Sequence, residues 1–206
     1  VVAPDGQRSA MSHCFSYNNP IRVWEYDFPV SGVKAFACTG TPADCMRVGI
    51  MNILPSKPDF AFAGINNGPN MCSDIQYSGT LGAAFESAFW GIHSIAFSQQ
   101  SEEMHEVTDR YIGELMKECM EKPLGKNQVW NINFPACKPG ACKGILRDRT
   151  VSTDPFYKDS YKERQLENGM REFTVYAERA WEATDGTDLR AFIDNYVSVG
   201  IVNNVG

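Results

Sequence analysis

Apolar and polar positions along this chain change period in blocks, and each block predicts an element. Residues 22–28 and 33–38 have strand composition, and Pro29, Ser31 and Gly32 between them mark a turn, so the pair predicts a hairpin. Thr41-Pro42-Ala43-Asp44 predicts a helix start. Thr41 caps free N–H groups, Pro42 suits the first helical position, and Asp44 completes a capping-box-like pattern at the positive end of the dipole. Cys45, Val48, Met51 and Ile53-Leu54 carry that helix toward Pro55. Residues 60–63 are wholly apolar, as in a parallel strand buried on both faces, and a loop over 64–70 is expected after them. A second helix begins near Ser78, with Leu81, Ala84, Phe85, Ala88 and Phe89 on one face and Gly91 just past its end. Residues 94–98 form the next strand, residues 106–121 repeat apolar positions at helical spacing, and residues 129–134 form another strand.

This alternation predicts an α/β fold with a mostly parallel sheet. From Gly144 the pattern changes: residues 172–178 and 196–202 are strand-like, and residues 155–170 mix charge with aromatics. We therefore expect one domain over 1–206, with an α/β core at 1–143 and a β-rich extension at 144–206. The 155–170 stretch is expected to be an exposed loop or an arm that packs on a neighbouring subunit.

Composition narrows the function. The chain has 206 residues, 43% of them hydrophobic, enough for one domain with a real core. Its net charge of -6, without a basic stripe, argues against a nucleic-acid polymer as partner but leaves room for a small phosphorylated substrate. No apolar run reaches the length of a membrane span, and no signal peptide is visible. Cys137 and Cys142 flank a turn, but no second Cys or His pair stands at zinc spacing. The seven cysteines read as reduced thiols of a cytoplasmic protein.

Two loops carry candidate chemistry. Gly64 to Asn70 leaves the carboxyl end of an apolar strand, where open α/β sheets bind ligands. Its glycines allow close backbone approach, and its asparagines offer oxygens to a hard cation or amides to a phosphate, although Asn-Gly is also ordinary turn chemistry. Asp74 to Thr80 runs into a helix whose free N–H groups, with Ser78 and Thr80 beside them, suit an anion. Ser78 as a plain helix cap is compatible with that role. A third loop, Asp5-Gly6-Gln7-Arg8-Ser9, joins the same edge if residues 1–3 form a parallel strand. Arg8 would meet phosphate, and Ser9 phosphate or metal. His13, near Ser9, is a candidate to assist a leaving group, but a plain structural or surface histidine is the expected reading; His93 and His105 have no assigned role. A Rossmann oxidoreductase is disfavoured, since no Gly-x-Gly-x-x-Gly follows a strand.

Several of these segments resemble the SurE (survival protein E) family of metal-dependent 5'/3'-nucleotidases. The resemblance lies in Val1-Val2-Ala3-Pro4-Asp5 with Arg8-Ser9, in Gly40-Thr41-Pro42-Ala43-Asp44-Cys45, in Pro58-Asp59 through Ala63-Gly64-Ile65-Asn66-Asn67-Gly68-Pro69-Asn70, and in Tyr77-Ser78-Gly79-Thr80. Weaker echoes are Asn131-Ile132-Asn133-Phe134-Pro135 and Gly186-Thr187-Asp188 with Tyr196-Val197-Ser198. The resemblance implies a Rossmann-like three-layer sandwich and hydrolysis of nucleoside 5'(3')-monophosphates. It implies one divalent cation, Mg²⁺ or Mn²⁺ with Ca²⁺ as a further candidate, and a homodimer or homotetramer. By position, Ser9 and Asn66 would be metal ligands. Asn70, Ser78, Gly79 and Thr80 would line the phosphate site, with Asn70 and Ser78 catalytic. Three departures stand out: Ala63 replaces the family's usual Ser, Ala10 replaces a common Gly, and no Asp-Asp pair occurs. Family members open on a strand ending in Asn-Asp-Asp-Gly, so that segment is expected ahead of Val1. Without it, a nucleotide-binding module lacking catalysis is the alternative.

Overall fold

The apolar stripe that Leu81, Ala84, Phe85 and Ala88 make on one helix closes one face of a parallel sheet. The structure is a computed structural model and describes residues 1–100 and 103–205. The chain order is β1 (Val2–Pro4), β2 (Val23–Tyr26), β3 (Ala35–Cys38), α1 (Pro42–Val48), β4 (Phe60–Asn67), α2 (Gly79–Phe89), β5 (His93–Gln99), α3 (Glu106–Glu121), β6 (Gln128–Phe134), β7 (Ile145–Leu146), β8 (Tyr157–Gln165), β9 (Arg171–Arg179), α4 (Asp188–Ile193) and β10 (Val197–Asn203).

The main sheet has the order β4-β5-β6-β10-β7; β4, β5 and β6 run parallel, and β10 is antiparallel to β6. Strand alternation then decides the layers. Ile95, Phe97, Trp130, Ile132 and Phe134 face α3, packing with Val107, Leu115 and Cys119. Ala96 and Val129 face α2. The result is a three-layer α/β sandwich. A smaller sheet, ordered β1-β3-β2, pairs β1 parallel and β2 antiparallel with β3, the hairpin expected over 22–38.

The helix at 41–54 starts as expected. Thr41 accepts the Asp44 N–H, and Asp44 accepts the Thr41 N–H in return. After Val48 it widens into a π-helical turn over Gly49–Ile53.

One expectation changes. The loop expected at 64–70 is strand as far as Asn67, because Asn66 and Asn67 resume pairing with Ser98 and Gln99 after a bulge. Gly64, at φ +100°, allows it: a Cβ there would lie 2.2 Å from the Phe97 carbonyl oxygen. The 155–170 stretch is largely strand β8, paired along its length with β9 in an exposed two-stranded arm. The short α4 and β7 have no counterpart among the expected elements.

Candidate functional site

The carboxyl ends of β4 and β5 and the start of α2 meet at one rim of the sandwich. Beside them lies a cleft of about 880 Å³, lined by residues of β1, of β4, and of α1 with the π-helical turn that follows it. Val2, Ala61 and Ala63 make it mainly apolar, while Asn66 and Thr80 give it polar groups. Asn66 and the head of α2 therefore share a cleft through Thr80; Ser78, Gly79 and Ser9 are not among the lining residues.

Ser78 closes the helix start. Its backbone is extended, and its Oγ accepts the Leu81 N–H at 3.0 Å. The Gly82 N–H goes to the Ser78 carbonyl. The helix supplies no carbonyl to the N–H groups of Gly79 and Thr80, which leaves the start of α2 able to donate to an anion. A hydroxyl has one proton and two lone pairs, so Ser78 can cap Leu81 and still donate outward.

The loop carrying Arg8 and Ser9 lies against that start. A Cβ added at Gly79 would lie 3.5 Å from the Arg8 carbonyl oxygen and 3.0 Å from Pro42 Cγ. The Ser12 N–H bonds to the Tyr77 carbonyl at 3.0 Å. Arg8 pairs with Asp5 at 2.6 Å, and Ser9 Oγ accepts from Gln7 Nε2 at 3.1 Å. Ser16 fixes the far end of the loop, its N–H and hydroxyl both bonding to the Asp44 carboxylate. Burial opposes charge on Asp44, yet these bonds and those from Thr41 hold its carboxyl below the usual range.

Asn70 lies against β5 and β6. It is buried, and its Nδ2 donates to Ser98 Oγ at 2.6 Å. Its backbone is held by Asn131 and Asn133. The carboxamide expected to touch phosphate thus gives one N–H to β5. Ser98, Asn131 and Asn133 are not among the site residues that the sequence motifs single out. The available signal was the alternation in 131–134, which puts two Asn on one face of an otherwise apolar strand. Asp188, from another weak echo, is also buried; its carboxylate accepts the N–H groups of Cys72 and Ser152, and burial pushes it up despite them.

His13 reaches across to α2. Its Nε2 lies 2.8 Å from Glu86 Oε2 on α2. The cysteines with described surroundings are unpaired, and burial drives the thiols of Cys72 and Cys119 up, away from reactivity.

A hard divalent cation takes six or more oxygens, usually with carboxylates among them. Ser9 and Asn66 would offer two neutral donors. Among the described residues no group of three or more His, Cys, Asp or Glu is placed to hold a metal. Asp5, close to Ser9 in sequence, already carries Arg8. The described residues do not form a complete cation site.

Several known proteins are similar to this chain. The family model for survival protein SurE matches residues 1–154. The 5'-nucleotidase SurE of Thermoanaerobacter sp. (strain X514) is 34% identical over 204 residues, covering 97% of this chain and 79% of the relative. That of Rhodopseudomonas palustris (strain TIE-1) is 35% identical over 209 residues, covering 97% and 80%. The crystal structure of the SurE protein from Aquifex aeolicus superposes with a TM-score of 0.79 at 32% identity, covering 98% of this chain and 81% of that one. The strong motifs, the three-layer sandwich, the family model over residues 1–154 and the matches over nearly the full chain converge: this chain belongs to the SurE family.

Proposed function

We propose that this protein hydrolyses nucleoside monophosphates to nucleoside and inorganic phosphate. The observation that carries it is the start of α2, where Ser78, Gly79 and Thr80 present donors beside the cleft that Asn66 lines. Relatives over 97% of the chain carry the name 5'-nucleotidase.

In this reading the phosphoryl group sits at the helix start. The N–H groups of Gly79 and Thr80 and the hydroxyls of Ser78 and Thr80 donate to its oxygens. A water oxygen bonds to phosphorus, the ester P–O bond breaks, and the nucleoside oxygen takes up a proton. Charge on the phosphoryl oxygens shifts during transfer, and donors fixed in place stabilise it without reorganising. Asn70 contributes by anchoring the segment that leads to Ser78 rather than through its carboxamide. Ser9 and Asn66 are retained as neutral donors to a divalent cation, Mg²⁺ or Mn²⁺.

Seven unpaired cysteines support a cytoplasmic setting. The exposed β8–β9 arm, with Tyr161, Phe173 and Val175 open to solvent, supports self-association.

The donor set favours one second reading, a nucleotide binder without turnover, since the described residues offer no carboxylate cluster for a cation. One experiment separates the two. Phosphate release from a nucleoside 5'-monophosphate is measured with Mn²⁺ and with Mg²⁺, alongside calorimetric binding. Release establishes the enzyme, binding without release establishes the module, and absence of both overturns the phosphate site.

A further inference from the structure

The alternation Asn131-Ile132-Asn133-Phe134 places two carboxamides on the α2 face of β6, while Ile132 and Phe134 pack toward α3. We infer that Asn133, assisted by Asn131, is a positioning residue of the phosphate site, holding the segment between Asn66 and Ser78 through the backbone of Asn70. The inference rests on the phosphate-site reading above.

A buried carboxamide is costly unless its groups are bonded. Asn133 is fully buried and uses both ends on one residue: its Oδ1 accepts the Asn70 N–H at 2.7 Å, and its Nδ2 donates to the Asn70 carbonyl at 2.9 Å. That is the pattern of a β-ladder rung, with a side chain standing in for a neighbouring strand. Asn131 Nδ2 donates to the same carbonyl at 2.8 Å. Ser98, the register partner of Asn133 on β5, takes the Asn70 side chain. Four hydrogen bonds from two strands thus converge on one residue in the irregular stretch between β4 and the 3₁₀ turn over Cys72–Tyr77.

The stretch joins Asn66, at the end of β4, to Ser78, at the start of α2. Fixing its middle sets where its two ends stand relative to each other. Core packing alone would place apolar side chains here, as it does on the opposite face of β6. Instead the arrangement leaves Asn131 Oδ1 buried without a partner among the described residues. A sheet tolerates that cost where backbone placement matters more than packing.

The test uses Asn133→Asp. A protonated carboxyl keeps one acceptor and one donor, as the carboxamide does. Ionised, it loses the donor and sets negative charge against the Asn70 carbonyl. A nucleoside 5'-monophosphate and inorganic phosphate are titrated calorimetrically into wild type and variant across pH, with melting temperatures measured in parallel. The ratio of variant to wild-type dissociation constants is expected to stay near one at low pH and to rise roughly tenfold as the introduced carboxyl ionises. A ratio independent of pH in folded protein overturns the inference. If the ionised variant unfolds, Asn131→Ala carries the test at neutral pH. Weakened binding by a folded variant supports the inference, and unchanged affinity overturns it. Wild type binding neither ligand would overturn the phosphate-site reading itself; wild type binding normally while the variants also bind normally sinks only the positioning role.

Discussion

His13 Nε2 lies 2.8 Å from Glu86 Oε2, and this contact ties the loop bearing Arg8 and Ser9 to the middle of α2. Glu86 is 4% exposed and also receives Arg47 at 2.9 Å and the Trp90 indole N–H at 3.2 Å. One buried carboxylate therefore joins the loop, α1 and α2. Glu86→Gln should cost about 1–3 kcal/mol, because the Arg47 guanidinium loses its charged acceptor in a partly buried place. Denaturant unfolding checks this; a midpoint equal to wild type would show that the network is not a structural tie.

Ser78→Ala separates cap from ligand. Loss of an N-cap costs ~1 kcal/mol, or roughly 2–4 °C in melting temperature for a domain of this size. Loss of a phosphate donor should weaken nucleotide binding about tenfold or more. Calorimetry and thermal melting on the same variant decide between them. A lowered melting temperature with intact affinity would make Ser78 a cap alone.

Gly82 tests the contact between α2 and the loop. A Cβ there would lie 2.3 Å from the Ser12 carbonyl oxygen and 2.9 Å from His13 Cα. Helix propensity by itself favours Ala over Gly by about 1 kcal/mol. Gly82→Ala should nonetheless destabilise the protein and weaken nucleotide binding, since the loop backbone must move away from the helix start. A stabilised variant with unchanged affinity would place the loop elsewhere in solution.

Glu118 sets an acid limb. Its carboxylate takes two bonds from Arg147, both 2.7 Å, and one from Lys122 at 2.6 Å. The Arg147 hydrogen bonds hold its carboxyl down at about 2. The folded value lies below the unfolded one, so the pairing stabilises above the ordinary glutamate range and is lost as pH falls toward about 2. With Arg147 38% exposed, the contribution is modest, about 1 kcal/mol. Wild type should melt above Glu118→Gln at neutral pH, and the two curves should converge in strong acid. A gap that persists unchanged at the acid end would assign the effect to packing.

Much of this architecture was legible in the chain because its signals are local. Helix α2 shows in the spacing of Leu81, Ala84, Phe85 and Ala88, and α1 in the reciprocal bonds of Thr41 and Asp44, three residues apart. Ser78 as a helix cap depends on Leu81, likewise three residues on. Such relations are written in neighbouring positions, where periodicity and cap chemistry act directly.

The remaining features depend on partners far along the chain. Composition makes residues 64–70 a turn, yet pairing with Ser98 and Gln99 extends β4 to Asn67. Asn70 has the residue type of a ligand, but its partners lie 28, 61 and 63 positions away: Ser98 takes its carboxamide, and Asn131 and Asn133 hold its backbone. The sequence by itself determined most of the elements, the sandwich class, the family resemblance and the capped start of α2, since each follows from short-range pattern. Only the tertiary structure decided which polar side chains face the cleft and which hold the backbone behind it. A buried amide's role is settled by whichever donor or acceptor the fold brings within 3 Å, and sequence distance carries no information about that.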